Sequence, residues 1–467
     1  MTLGAEQDGK VATTPPCLNA GPSVVSVEVM GRQMSEAAAR IKINRQLESA
    51  GWRFFPEGSE PANICLEQGT VLREADLDAL GEDFERTTKG FIDFLLLNDR
   101  GFPFIVLEAK SAEIDPLFAK EQARKYARSQ NCRFIILSNG NLHYFWDLET
   151  GNPYIITSFP TPTSVMGYQR RSSPDPQRLI GEPVGRDYIA LTQRPTYASE
   201  AGWTNEAERP AYIRANRLRF LRPYQERAVH SIQRAVRDGK DRFLFEMATG
   251  TGKTLVSAAV IKLFLRTGNA SRVLFLVDRL ELEDQAKKAF VAALSADFTT
   301  VIYKENKDDW RSAEVVVSTV QSLLFNNQYR QQFSPTDFDL VISDEAHRSI
   351  GGNARAVFDY FIGYKLGLTA TPRDYLKNFD QAKAADPRQQ ERRLLLDTYR
   401  TFGCEDSQPT FRYSLVDGVT DPDGPFLVNP TVVDARTDIT TQLLAEEGFV
   451  VTITDDEGAR RCRHTPR

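Results

Sequence analysis

Cysteine and histidine are scarce: the 467-residue chain has five cysteines and four histidines. Cys17, Cys65, Cys132, Cys404 and Cys462 never approach CxxC spacing, which argues against a structural zinc site and a disulfide framework. Long hydrophobic runs are missing as well. Residues Met1–Met30 lack a basic start followed by an apolar block, so no export signal is visible, no membrane partner is expected and a cytoplasmic location is. There is also no charge excess to mark a nucleic-acid binder. Lys and Arg number 58 against 63 Asp and Glu, a net charge of -5, so any DNA contact must come from local basic patches. No internal repeat of fixed period stands out.

What is present is the composition of a soluble globular protein, 41% hydrophobic and 26% charged. The length implies about three domains. Residues 1–33 show no clear period and read as a disordered tail, and Met34, an alternative start, opens a helical stretch. From Phe91 to Trp146 the pattern is strand (FIDFLLL), turn, strand (FPFIVLE), helix, strand (FIILS), strand (LHYFW). Asp115 and Pro116 are candidate N-cap and first residue of that helix, and Asn139-Gly140 is a tight hairpin turn. Prolines crowd Ser158–Arg209, which suits a surface linker. From Asn216 onward apolar strands (FLFEM, RVLFLV, EVVVS, FDLVIS, KLGLTA) alternate with amphipathic helices, the pattern of a helix-covered parallel sheet.

Two stretches carry chemistry. In FLFEMATGTGKT, Phe243–Thr254, a strand runs into a Gly-rich turn and a helix. Across Thr249, Gly250, Thr251 and Gly252 the backbone can approach phosphate, Lys253 can reach the β and γ oxygens, and Thr254 offers a hydroxyl to magnesium. Met247 stands where the generic GxxxxGK[ST] pattern has glycine. Further on, FDLVISDEAH places Asp344 and Glu345 at the carboxyl end of a buried strand, where Asp344 can hold Mg2+ and Glu345 can orient or deprotonate water. Alone, that pair reads as a solvated acidic loop; beside the phosphate turn it does not. The second stretch sets Asp93 in the strand FIDFLLL, and Glu108 and Lys110 at the end of the next strand on one face. Two carboxylates to hold one or two magnesium ions and an ammonium to position water suit phosphodiester hydrolysis. Gln122 and Tyr126, four residues apart, share a helix face. The plain structural alternative is a buried Asp93–Lys110 salt bridge, with Gln122 and Tyr126 merely packing; a DNA-binding remnant without cleavage is another.

MATGTGKT, DEAH and LTATP, in that order, resemble the motor motifs of superfamily two helicases. The resemblance implies that Glu345 is the catalytic base and that His347, Thr369 and Thr371 couple hydrolysis to motion. LRPYQ resembles the element in which Gln225, flanked by Arg222, reads adenine, which implies ATP as the fuel; on the residues alone, Gln225 as a surface residue is an equal reading. LFLVDRLELEDQ and VVVSTVQSL resemble DNA-backbone elements and give Arg279, Thr319 and Gln321 phosphate-contacting roles, although Arg279 reads equally well as a cap. DFLLLNDRGFPFIVLEAKS followed by QARKYA resembles the PD-(D/E)xK nuclease core of type I restriction subunits, with Glu48 as a candidate for that family's additional acidic residue.

The expected fold is therefore α/β: a PD-(D/E)xK nuclease domain (34–157), a Pro-rich linker (158–210), a first RecA-like ATP-binding lobe (211–425), and the start of a truncated second lobe (426–467). The resemblance implies a restriction subunit that joins methylation and specificity subunits, pulls double-stranded DNA with ATP, and cuts it with Mg2+. Arginine fingers belong to the missing second lobe and are worth about 10³–10⁵ in turnover, so slow hydrolysis by this chain is expected. The alternatives are a truncated ATP- and DNA-binding product without turnover, and a defence or repair helicase-nuclease outside restriction. The basic run RPAYIRANRLRFLRPYQER, with Arg170 and Arg171, is either a DNA track or a solvated face.

Overall fold

The computed structural model describes residues 24–71, 89–171, 174–305, 307, 310–349, 354–374, 397–404, 407–423, 425–427, 439–444, 448–454 and 460–465. It divides into two units, 1–414 and 415–467. Most of the tail read as disordered, 1–23, lies outside the described residues. The first helix, Val24–Ser49, begins ten residues before Met34 and so takes in the rest of that tail.

The first sheet has the order β1 (Ile64–Val71), β2 (Lys89–Leu97), β3 (Pro103–Ala109), β4 (Phe134–Ser138), β5 (His143–Asp147) and β6 (Tyr154–Ile156). Only β3 and β4 are parallel, and the helix Lys120–Ser129 makes their crossover, the connection that a parallel pair requires. Both faces are covered. Ile43 and Leu47 of the first helix pack with Phe94, Ile105, Leu107 and Phe134. Ala123, Tyr126 and Ala127 of the crossover helix pack with Leu95, Val106, Ile135 and Leu137. Burial on both faces is why β3 and β4 read as unbroken apolar runs. Asp115 caps as expected, accepting from the Leu117 amide at 2.9 Å, but the first turn, Pro116–Ala119, is a 3₁₀ helix. The tight turn expected at Asn139-Gly140 falls one residue later, on Gly140 and Asn141, closed by the Asn139 amide on Leu142 O at 3.2 Å.

The Pro-rich stretch expected as a surface linker is instead helical: Pro162–Arg171, Pro176–Gly181, Tyr188–Gln193, Ala201–Thr204 and Arg209–Ala215. Pro162 and Pro176 open helices and Pro210 lies in the first turn of another, where the missing amide proton is not needed. Val165, Leu179, Ile189 and Ala190 are fully buried. The Gln233 side chain donates to Leu179 O and Glu182 O at 3.0 and 2.8 Å, and the buried Lys262 ammonium donates to Tyr188 O. Ser164 Oγ meets Thr336 Oγ1 and Asp337 Oδ1 at 2.6 and 2.7 Å, and Trp52 Nε1 donates to Pro160 O at 2.9 Å. The Ser164 bonds tie this stretch to the segment leading into β11 (Leu340–Ser343), and Ile362, just before β12 (Tyr364–Thr369), packs into the first sheet's core.

The second sheet is the parallel sheet that the alternation of strands and helices predicts, an all-parallel array in the order β13 (Phe411–Tyr413), β7 (Arg242–Met247), β12, β11, β8 (Val273–Val277), β10 (Val315–Thr319) and β9 (Thr300–Ile302). Its strands are almost wholly buried between helices, among them Pro223–Arg237, Lys253–Arg266 and Leu280–Leu294. In the second unit, β14 (Ile439–Leu444), β15 (Gly448–Thr454) and β16 (Arg460–Thr465) form an antiparallel meander. The first strand of a second parallel lobe was expected there; connections this short permit only antiparallel pairing.

Gly363, entering β12, has no room for a side chain: an added Cβ would lie 2.3 Å from the Asp339 carbonyl carbon and oxygen. Backbone cannot yield as a side-chain tip can, so Gly363→Ala should cost at least about 1–3 kcal/mol, read as a lowered urea midpoint with unchanged slope.

Candidate functional site

The phosphate turn lies between β7 and the helix Lys253–Arg266. Gly250 and Gly252 have φ of 85° and 77°, a region that a β-carbon penalises. Gly252 is also hemmed in: an added Cβ would lie 2.6 Å from Gln225 Nε2. Gln225 is buried, not a surface residue. Its Nε2 donates to Thr251 O at 2.9 Å and its Oε1 accepts from the Arg222 amide at 2.9 Å, which leaves one amide proton for another partner. Thr249 and Gly250 are exposed, Thr254 half-buried, and the Thr251 hydroxyl turns inward onto Ala248 O at 2.6 Å. The Lys253 ammonium has only long contacts, 3.5 Å to Met247 O and 3.7 Å to Glu345 Oε1. It is free to move onto a ligand.

Asp344 and Glu345 follow β11, so the parallel sheet delivers them to the edge that bears the phosphate turn. Burial, then the neighbouring Glu345, raises the Asp344 pKa, and Lys253 opposes them. Glu345 has φ of 47°, a conformation that costs a residue with a β-carbon about 1–3 kcal/mol and collects at functional sites. His347 Nδ1 lies 2.8 Å from Thr369 Oγ1, and the same hydroxyl oxygen accepts from the Thr371 amide at 3.1 Å. Burial lowers the His347 pKa. His347, Thr369 and Thr371 thus form one chain that reaches Glu345, whose Oε2 is 3.4 Å from His347 Nδ1.

The three DNA-backbone candidates divide. The Arg279 side chain is 67% exposed and Gln321 is exposed. Thr319 is buried, and its hydroxyl caps the helix Val320–Leu324 by accepting from the Ser322 amide at 3.1 Å. Its amide donates to the buried Glu283 carboxylate at 2.7 Å. In this arrangement the Thr319 hydroxyl serves its own helix as a cap.

In the first sheet, Asp93, Glu108, Lys110, Gln122 and Tyr126 come together. Lys110 Nζ donates to Glu108 Oε1 at 2.9 Å and reaches Gln122 Oε1 at 3.5 Å, and Gln122 Nε2 donates to Tyr126 Oη at 3.1 Å. The alternative of a buried Asp93–Lys110 bridge is not what forms. Asp93 Oδ1 takes the Arg40 guanidinium, and Oδ2 accepts from the Ala109 amide at 2.8 Å. Glu108 is 2% exposed, and its Oε2 has no hydrogen-bond partner. Burial first, then Asp93, pushes its pKa from 4.5 up to about 7 against the pull of Lys110 and Arg40. A buried orphan carboxylate oxygen beside a second carboxylate fits a divalent cation. Among the described residues no group of three or more His, Cys, Asp or Glu converges, so two protein carboxylates are what this site offers. Glu48 is exposed; the residue of its helix that meets Asp93 is Arg40, about two turns earlier.

Residues 79–160 match the family model "Type I restriction enzyme R protein N terminus (HSDR_N)", and 219–374 match "Type III restriction enzyme, res subunit". The EcoKI endonuclease subunit of Escherichia coli K12 is 27% identical over 85% of this chain and 36% of its own length. The EcoAI endonuclease subunit of Escherichia coli is 25% identical over 66% of this chain and 36% of its own. A fragment structure of a putative HsdR subunit from Vibrio vulnificus YJ016 is 25% identical, covering 81% of this chain and 59% of that one, with a TM-score of 0.28. The two halves of the chain are thus each similar to type I or type III restriction subunits, and the curated relatives named here are type I endonuclease subunits. The chain spans about a third of the length of the curated relatives it matches, 36% of each of the two named above.

Arg40 is the residue of this cluster that the sequence did not reveal. It sits 53 positions from Asp93, on a helix whose other residues carry no motif. Only the packing of that helix beside the sheet brings it there.

The raised Glu108 pKa makes stability depend on pH. Below 4.5 the carboxyl is protonated in both folded and unfolded chains, and the folded state keeps its full stability; as pH climbs to about 7 that advantage is lost. The shift corresponds to about 3 kcal/mol at most. Glu108→Gln should raise the melting temperature at pH 8 and leave it nearly unchanged at pH 4, in melts run without divalent cations.

Proposed function

We propose that the chain is the restriction subunit of a type I restriction-modification enzyme, acting with methylation and specificity subunits. ATP hydrolysis at the parallel sheet would drive movement of duplex DNA, and the mixed sheet would cut both strands with Mg2+. The observation that carries this reading is the presence, within one compact unit, of two separate sites, each with a complete set of charged groups. Homologues named as type I endonuclease subunits support the assignment at the level of the family.

At the motor site, the backbone of residues 249–252 and Lys253 would bind the triphosphate, with Gln225 behind the turn selecting adenine through its remaining amide proton. Thr254 and Asp344 would hold the nucleotide's Mg2+. Glu345, held near Lys253 and His347, would accept the proton of the attacking water. His347 and Thr369 then provide a mechanical link from Glu345 to the strand end of β12, so that a change at the γ-phosphate reaches Thr371. Arg279 and Gln321 lie exposed for contact with the DNA backbone.

At the nuclease site, Asp93 and Glu108 would hold Mg2+, which supplies Lewis acidity and a more acidic bound water. Lys110, fixed by Glu108 and Gln122, would balance charge that develops on the phosphate, and Tyr126 holds Gln122 in place. Neutral Glu108 is a poor ligand, so cation binding must release its proton.

Lys253→Ala should abolish DNA-stimulated ATP hydrolysis, and Glu345→Gln should lower it roughly 100-fold or more while nucleotide still binds. Turnover of the wild-type chain equal to that of Lys253→Ala would instead favour a binding-only product. Asp93→Asn and Glu108→Gln should remove cleavage of plasmid DNA and leave ATP hydrolysis intact. Thr369→Ala should retain hydrolysis but lose displacement of a triplex-forming strand from duplex DNA.

A further inference from the structure

We propose that Arg40 is an exchangeable counter-cation of the nuclease site: its guanidinium keeps Asp93 from a divalent cation until a DNA phosphate draws it away. This rests on the nuclease reading above and adds to it an order of events, DNA before metal.

Asp93 and Glu108 face the cationic side chains of Arg40 and Lys110. Each Asp93 oxygen already has a partner, Oδ2 the Ala109 amide and Oδ1 the Arg40 guanidinium, whose positive charge opposes the approach of a second cation. The backbone bond belongs to the sheet and cannot be given up without disturbing β3. The guanidinium can leave. Beside it, Glu108 Oε2 is buried and partnerless, while Lys110 engages only Oε1. A site built merely to neutralise its carboxylates would have satisfied that oxygen; one oxygen waits and its neighbour is covered.

Arg40 is held so that its side chain alone can move. The helix Val24–Ser49 buries Ala39, Ile43 and Leu47. The hairpin glycine Gly140 lies against it so closely that a Cβ there would be 3.1 Å from Ala39 O and 3.3 Å from Lys42 Cβ. Lys42 Nζ donates to Asn141 Oδ1 at 2.9 Å across the same contact. Main chain on both sides of Arg40 is therefore fixed, while the Arg40 side chain is 33% exposed against 14% for Asp93. Arg40 is thus the more exposed partner of the pair, the one a phosphodiester from solvent can reach. A guanidinium binds phosphate through two parallel hydrogen bonds, whereas Asp93 offers Arg40 one oxygen, the other being taken by the Ala109 amide. Transfer of Arg40 to phosphate exposes Asp93 Oδ1 beside Glu108 Oε2 and restores the negative charge that a divalent cation needs.

The test is calorimetric titration of the full chain with Mg2+, with and without a short duplex, for wild type, Arg40→Gln, Arg40→Lys and Asp93→Asn. Without DNA, Arg40→Gln should bind Mg2+ roughly tenfold more tightly than wild type, about 1.4 kcal/mol. Duplex should tighten Mg2+ binding by wild type and change Arg40→Gln little, because linkage between the two ligands runs through that side chain. Arg40→Lys, which keeps a cation but loses the fork, should stay weak without DNA and guards against a folding defect in the glutamine variant. Equal Mg2+ affinity of wild type and both Arg40 variants, with Asp93→Asn abolishing binding, would overturn the exchange while leaving the metal site in place. An Asp93→Asn isotherm matching wild type would overturn the metal site and the exchange together.

Discussion

Parallel strand pairing is the constraint on which the motor site depends. Leu244, Gly367, Ser343 and Leu276 lie side by side across β7, β12, β11 and β8, so the four strands end together at one edge. Whatever follows each strand is delivered to that edge: the phosphate turn after β7, Asp344 and Glu345 after β11, Thr369 and Thr371 at the end of β12. Residues distant in the chain become neighbours because hydrogen-bond register leaves them nowhere else to go. Gly367 belongs to the same logic, since a Cβ at that position would sit 2.4 Å from the Phe402 ring and push it off the sheet.

The nuclease site has a different origin. Its sheet is mixed, and the functional groups come from two adjacent strands and the crossover helix that joins the one parallel pair. Burial from both faces is what makes the site reactive. Glu108 shares its strand with fully buried Ile105, Val106 and Leu107, and that environment, more than any neighbouring charge, lifts its carboxyl toward neutrality. The cost of burying an acid is offset by Lys110, two residues on, and by Arg40 from the helix that packs on a face of the sheet. The two domains then meet through hydroxyl and carboxylate groups near Ser164 and Asp337, at the entry side of β11 and β12. That is the opposite edge of the sheet from the nucleotide turn.

Much of this was legible before the structure. Strand–turn–GKT–helix, a buried strand running into DEAH, and alternation that sets Glu108 and Lys110 on one face are local patterns governed by strand and helix periodicity. The Pro-rich stretch misled because proline at a helix start and proline in a linker are the same letter; only the buried Leu179, Ile189 and Ala190 distinguish them. The cap role of the Thr319 hydroxyl was not legible, because a threonine at a strand end reads the same whether its oxygen serves a helix or a ligand. The antiparallel meander of β14–β16 went unseen because the end of the chain has no clean period.

The sequence by itself marked the candidate residues for chemistry and the order in which the two candidate sites occur, since backbone turn geometry and side-chain alternation are local properties. Tertiary structure decided the partners. It set Gln225 behind the phosphate turn rather than on the surface, tied His347 to Thr369, and gave Asp93 to Arg40 rather than to Lys110. Pairing of charges depends on which helix packs over which strand, and that is fixed by apolar packing spread across the whole domain, which no short motif records.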